Sequence, residues 1–171
     1  MKDNERSLRV HRPSLVATAA ALALVAILMA LPAVGNTAPA ATATVSTATT
    51  GLGRVLVTST GHTLYMFGKD KNGKSACVGQ CATFWPPLIT TGKPKAGSGA
   101  RAALIGTTKR ADGRLQVTYN HHPLYTFVKD TKKGQTNGEA LSAFGAVWNA
   151  VSPAGAKVQK PNSGGLPGYG P

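Results

Sequence analysis

The chain is poor in three things: it has two Cys, six Asp and Glu, and only 6% aromatic residues among 171. Two Cys cannot build a disulfide-dense miniature scaffold or a four-Cys zinc site. Only four acidic residues, Asp70, Asp112, Asp130 and Glu139, fall in the part that reads as folded, and Asp112 is spent on an Asp-Gly turn. No carboxylate pair therefore stands out for hydrolysis. Ser59, Ser75, Ser98 and Ser142 lie in no nucleophile-elbow context, and Gly97-Ser-Gly99 follows no phosphate-loop pattern. No cofactor signature is present, and the chain reads as non-enzymatic. Long apolar runs are equally scarce, with a single exception, Leu15 to Leu31.

That run follows a basic stub, Met1 to Pro13, and precedes small residues with Ala-x-Ala steps, Ala38-Pro39-Ala40 and Ala41-Thr42-Ala43. The combination reads as an export signal over 1–40. At 17 residues the run also reaches the lower limit for spanning a bilayer, so a retained anchor is the alternative. Either way the rest is expected outside the cytoplasm. Thr- and Ala-rich 41–52 predicts a flexible linker, and Gly/Pro-rich 159–171 a disordered tail. The folded domain is then expected over 53–158.

What is abundant is positive charge: 19 Lys and Arg against six acids, a formal net charge of +13. Lys69, Lys71, Lys74, Lys93, Lys95, Arg101, Lys109, Arg110, Lys129, Lys132 and Lys133 fall in turns and loops. Export makes nucleic acid a poor partner. Anionic cell-wall polymers and lipid headgroups are the polyanions such a surface would meet.

A duplication organises the domain. Gly53 to Asp70 aligns with Gly113 to Asp130 at a constant offset of 60, with ten of 18 positions identical. Trp85-Pro-Pro-Leu88 corresponds to Trp148-Asn-Ala-Val151 at an offset of 63. The repeat units cover about 53–88 and 113–151. Each reads as two short strands around a turn, Val55–Thr58 with Leu64–Phe67 and Leu115–Tyr119 with Leu124–Phe127. Ala102–Lys109 adds a strand, joined by the Asp112-Gly113 hairpin signal. Leu141–Val147 alone could supply two helical turns. The expected fold is all-β with little helix, a small antiparallel domain of two related hairpin repeats. Strand alternation puts Tyr65 and Phe67 on one face and Leu64 and Met66 on the other, and likewise Tyr125 and Phe127 against Leu124 and Thr126. Asp70 and Asp130 follow at strand ends, where a carboxylate can fix the next turn.

Two side-chain groups have ligand chemistry. Cys77 and Cys81 read as a structural disulfide closing a tight loop in an exported protein. His62, His121 and His122 lie in turns, with His62 and His122 at equivalent repeat positions. Two thiolates with these imidazoles could hold copper or zinc, which defines an alternative, an extracytoplasmic redox or metal module. The calcium-loop likeness of Asp70-Lys-Asn-Gly73 lacks further acidic ligands and reads as a turn.

Tyr65-x-Phe67-x-x-Asp70 and Tyr125-x-Phe127-x-x-Asp130, with Cys77-x-x-x-Cys81, Trp85-Pro-Pro-Leu88 and Gln116-Val-Thr-Tyr119, resemble a bacterial family of secreted repeats or predicted lipoproteins. That family is named for its Tyr-x-(Phe/Trp/Tyr)-x-x-Asp motif. The resemblance spans Gly53 to about Pro153 and implies an exported, envelope-associated protein with no assigned activity. One feature departs from the pattern. No Cys follows the apolar run to accept a lipid, so lipid attachment is not implied.

Overall fold

The computed structural model describes residues 41–159. The expected signal segment 1–40 and all but the first residue of the expected tail lie outside the described residues. Among the described residues ten short strands, one α-helical turn and one 3-10 turn make up the domain. β1 (Thr44–Thr50) pairs antiparallel with β2 (Gly53–Thr58) and parallel with β5 (Lys95–Ala96). β3 (Tyr65–Phe67) pairs with β10 (Ala146–Ala150), which also pairs with β9 (Ser142–Ala143). β7 (Leu115–Tyr119) lies between β4 (Ile89–Thr90) and β6 (Ile105–Lys109) and carries β8 (His122–Pro123). All strand pairs but β1–β5 are antiparallel, so the domain is all-β and built of two repeats.

Three expectations are corrected. Residues 41–52 are not a flexible linker, because β1 occupies most of them. β-branched Thr suits an extended, half-buried chain. Val45 is fully buried, and the Thr47 and Thr50 hydroxyls donate to the Ser98 and Gly53 carbonyls. Leu141–Val147 is not helical. It spans the β9–β10 hairpin, whose two-residue turn Phe144-Gly145 has both residues left-handed (φ +56° and +87°). Helix appears instead as α1 (Gln80–Phe84), inside and just after the Cys77–Cys81 loop. The third correction concerns register. In the first repeat Thr58 N–H reaches the His62 carbonyl around three residues, with Gly61 at φ +86°. In the second, Tyr119 faces His122 around only Asn120-His121, at φ +47° and +66°. Upstream of the turn the strands therefore correspond at an offset of 61 rather than 60. Leu56 matches Val117 and both enter the same core, whereas the aligned identity Val57 lies in the other. A one-residue slip exchanges strand faces, and here it does so between copies of one unit.

The repeats interlock rather than stack. In one closed ring of backbone bonds, Leu64 N–H donates to Leu56 O (2.9 Å), Val151 N–H to Leu64 O (3.0 Å) and Leu56 N–H to Val151 O (2.7 Å). In its counterpart, Leu124 N–H donates to Val117 O (2.9 Å), Leu88 N–H to Leu124 O (2.9 Å) and Val117 N–H to Leu88 O (2.8 Å). Each ring takes two members from one repeat and the third from the other. Tyr65 and Tyr125 exchange reciprocal N–H···O bonds (2.8 and 3.0 Å) where the two rings meet. One core, Val45, Leu56, Leu64, Val117, Tyr119, Leu124 and Val151, fills the ring side. The other holds the aromatic face, as alternation along Leu64–Phe67 and Leu124–Phe127 predicts. Both cores lie wholly within Ala38–Pro171, itself one compact unit, so this segment carries its own apolar core.

Candidate functional site

The repeated motif converges on the interface between the repeats. Phe67, Trp148, Trp85 and Phe127 form a continuous stack with centroid separations of 4.1, 3.9 and 4.2 Å. The two indoles are 2° from parallel. Tyr65 meets Trp85 edge-on at 5.4 Å, and Tyr125 meets Trp148 the same way at 5.1 Å. Offset stacking and edge contacts are the arrangements aromatic quadrupoles favour. Each Tyr then reaches across to the other repeat's Asp. Tyr65 Oη donates to Asp130 Oδ2 (2.6 Å), and Tyr125 Oη donates to Asp70 Oδ2 (2.8 Å). The second carboxylate oxygens fix the following loops, Asp70 by accepting from Ala76 N–H and Asp130 from Asn137 N–H. The six motif residues are therefore one crossed structural unit. Burial, reinforced by Asp130, pushes the Tyr65 hydroxyl far above the usual phenol range. Burial and the Asp70 charge do the same to Tyr125, and burial raises Asp70.

The two ends of this unit differ. At the Tyr65 end, the hydroxyl accepts from Gly138 N–H (3.2 Å). At the Tyr125 end, Ser75 lies 2.7 Å from the hydroxyl, and Arg110 reaches in behind it. Arg110 donates to Ser75 Oγ (2.7 Å), Gln116 Oε1 (2.6 Å) and the Cys77 carbonyl (2.7 Å). Gln116 in turn donates to the Leu124 carbonyl. Arg110, expected in a solvated loop, is thus a buried structural cation, and Gln116 stands where the first repeat has Val55. Nothing in the Arg110-Ala-Asp-Gly113 turn signals that burial. The turn itself forms as expected, with Asp112 paired to Arg114, which pulls its carboxyl down to about 2.

Cys77 and Cys81 form the expected disulfide, with Cα atoms 5.3 Å apart. No thiolate is left to bind metal, which removes the thiolate version of the metal reading. The histidines do not assemble. His121 and His122 line a cleft of about 320 Å³ with Asp70, Asn72, Gly73, Asn120 and Pro123. Burial and the neighbouring His121 lower the His122 pKa. His62 sits in the other repeat's turn, whose Gly61 carbonyl accepts from Gly134 N–H. Among the described residues no group of three His, Cys, Asp or Glu could hold a metal ion.

Sequence reasoning missed an apolar pocket of about 230 Å³ between α1 and the β9–β10 hairpin. Trp85 and Phe127 line it with Ala143, while Phe84, Leu141, Phe144 and Lys129 complete the lining as exposed residues. Phe144 occupies the first position of a turn that favours Asn, in a backbone conformation that costs a bulky residue about 1–2 kcal/mol. The Phe-Gly step between two short apolar runs was the available sequence signal, and the helical reading of 141–147 concealed it.

On the surface, every described Lys and Arg except Arg110 is exposed. The carboxylates are occupied elsewhere, Asp70 and Asp130 by tyrosines and backbone, Glu139 by Ala150 N–H, and Asp112 by Arg114. Both ion pairs among the described residues go to Asp112. Among those residues no helix is long and apolar enough to cross a membrane.

No curated protein and no solved structure matches the chain. The family described as a secreted repeat of unknown function matches it twice, over residues 46–89 and 106–152. The first match begins inside β1, as expected if that strand belongs to the repeat unit rather than to a linker. With two matched copies covering more than half its length, the chain belongs to this family of secreted repeats.

Proposed function

We propose that the domain is a non-enzymatic binding module of the cell envelope, held to anionic envelope components by its basic surface. One observation carries this reading: the exposed Lys and Arg side chains outnumber the carboxylates that could neutralise them, because those carboxylates are used to brace the fold. Such a surface keeps a net positive field at any pH near neutrality. The motif tyrosines and carboxylates, by contrast, are paired with each other in holding the repeats together. The test is sedimentation of Ala38–Pro171 with purified cell walls over a salt series. Binding at low ionic strength that weakens steadily with salt is expected. Absence of binding at the lowest salt sinks the reading.

A further inference from the structure

The apolar pocket lies where the internal symmetry of the domain breaks. The offset of 63 that relates Trp85 to Trp148 also relates Cys77–Cys81 to Ala140–Phe144. Before its Trp the first repeat has a disulfide loop and a helical turn, and the second has the β9–β10 hairpin. Those two unlike segments form the pocket walls, with Phe84 on one side and Phe144 on the other, ring centroids 6.1 Å apart. Phe84, Leu141 and Phe144 are 40%, 38% and 37% exposed although each is large and apolar. The hairpin holds Phe144 at φ +56°. At a turn tip that conformation suits Asn better than Phe, so the turn itself does not account for the aromatic ring.

Charge decides what covers this surface. Lys129 lines the pocket, and Lys69, the same position in the other repeat, brings Nζ within 3.7 Å of the β-carbon position of Gly145, beside Phe144. Apart from Lys129 and the single indole N–H of Trp85 the lining side chains are apolar, so the pocket offers few of the donors and acceptors that a polyhydroxylated wall polymer would need. We infer that the rim of Phe84, Leu141 and Phe144, with Lys69 and Lys129 beside it, docks the domain on an anionic lipid surface. The apolar side chains enter the interfacial layer and the ammonium groups meet lipid phosphates, the division of labour seen in interfacial anchors. The charge term of this inference rests on the basic-surface reading, whereas the apolar term is independent of it.

The experiment uses Ala38–Pro171, which lacks the apolar run, in two binding assays at one salt concentration. One assay uses vesicles of equal parts phosphatidylglycerol and phosphatidylcholine, and the other uses soluble inorganic polyphosphate. The variant combines Phe84→Ser with Phe144→Asn and leaves every charge in place. Phe144→Asn alone is expected to raise the thermal midpoint, since Asn suits the turn, which separates docking from folding. Vesicle affinity of the double variant is expected to fall about tenfold or more, with polyphosphate affinity unchanged. Vesicle affinity equal to wild type overturns the inference and leaves the basic-surface reading standing. So does wild-type protein that binds polyphosphate but not vesicles. Wild-type protein that binds neither probe overturns both.

Discussion

Replacing Tyr65 by Phe removes one oxygen from the most enclosed point of the repeat interface. That oxygen donates to Asp130 Oδ2 at 2.6 Å and accepts from Gly138 N–H at 3.2 Å. Tyr65 is fully buried and Asp130 is 5% exposed, so water cannot replace the lost partner without opening the stack. A hydrogen bond to a charged group contributes about 1.5–3 kcal/mol, and stranding the Gly138 N–H adds to that, so Tyr65→Phe should cost about 2–4 kcal/mol. Tyr125→Phe is the internal control. Asp70 is only half-buried and keeps Ala76 N–H, while Ser75 keeps Arg110. Its cost should be nearer 1 kcal/mol. Urea unfolding of the oxidised Ala38–Pro171 segment measures both, with unchanged slope showing that the unfolded state is the same. A Tyr65→Phe cost below about 0.5 kcal/mol, or one no larger than that of Tyr125→Phe, would refute the assignment of Asp130 as a carboxylate braced across the interface.

The same hydroxyls set an alkaline limit. Their folded pKa values lie above the unfolded value of about 10, so the stability they confer is full below about pH 10 and is lost as pH rises above it. The wild type should lose stability above pH 10 more steeply than the Tyr65→Phe/Tyr125→Phe variant, and parallel curves in urea titrations would contradict this. Gly138→Ala places a β-carbon 2.7 Å from Trp85 and 2.9 Å from Tyr65, so it should cost about 3 kcal/mol or more and weaken the near-ultraviolet dichroism of the stacked indoles. Arg110→Lys cannot reach three acceptors on separate segments from one ammonium and should cost about 1–3 kcal/mol by thermal melt; a neutral result would mean the network tolerates its loss. Residues 38–100 expressed alone should show no cooperative melt, because the first backbone ring lacks Val151 and the second lacks Val117 and Leu124, and mixing with residues 101–171 should restore one.

Legibility in the sequence followed locality. The two-faced strands Leu64–Phe67 and Leu124–Phe127 were readable because alternation is a property of a few adjacent residues, and both cores use them as expected. The disulfide and the Asp-Gly hairpin were local as well. The swap of Leu88 and Val151 between repeats was not, since nothing in a segment says which of two similar strands it will meet. Identity of residues also misled. Val57 and Val117 align without a gap, yet a turn shorter by one residue sends them to different cores. Thr-rich β1 read as a tether because its stabilisation comes from pairing with β2 and from hydroxyl bonds to residues far along the chain. Of the candidate site residues, the Tyr, Phe and Asp of the motif did converge, but on each other.

That convergence bears on where function can reside in this domain. A residue present in both copies and used twice, once on each side of a crossed interface, is accounted for by the interface itself. Tyr65, Phe67, Asp70 and their counterparts Tyr125, Phe127, Asp130, with Trp85 and Trp148, have their polar atoms and ring faces committed inward. Of these, Trp85 and Phe127, at the apolar pocket, and Asp70, at the histidine cleft, also border open space. The repeated Tyr-x-Phe-x-x-Asp pattern thus describes how the domain is closed. Positions at which the copies differ are the ones that the crossed interface does not account for. Among the described residues these include the disulfide loop facing Ala140–Phe144, Gln116 in place of Val55 with Arg110 behind it, and the His121-His122 turn in place of Gly61-His62. Arg110 and Gln116 are buried and bonded to each other, and the histidine turn gathers too few ligands for a metal. The pair Phe84 and Phe144, raised on the two unlike segments beside equivalent lysines, is a difference that reaches the surface with apolar area still uncovered and with a pocket between its rings.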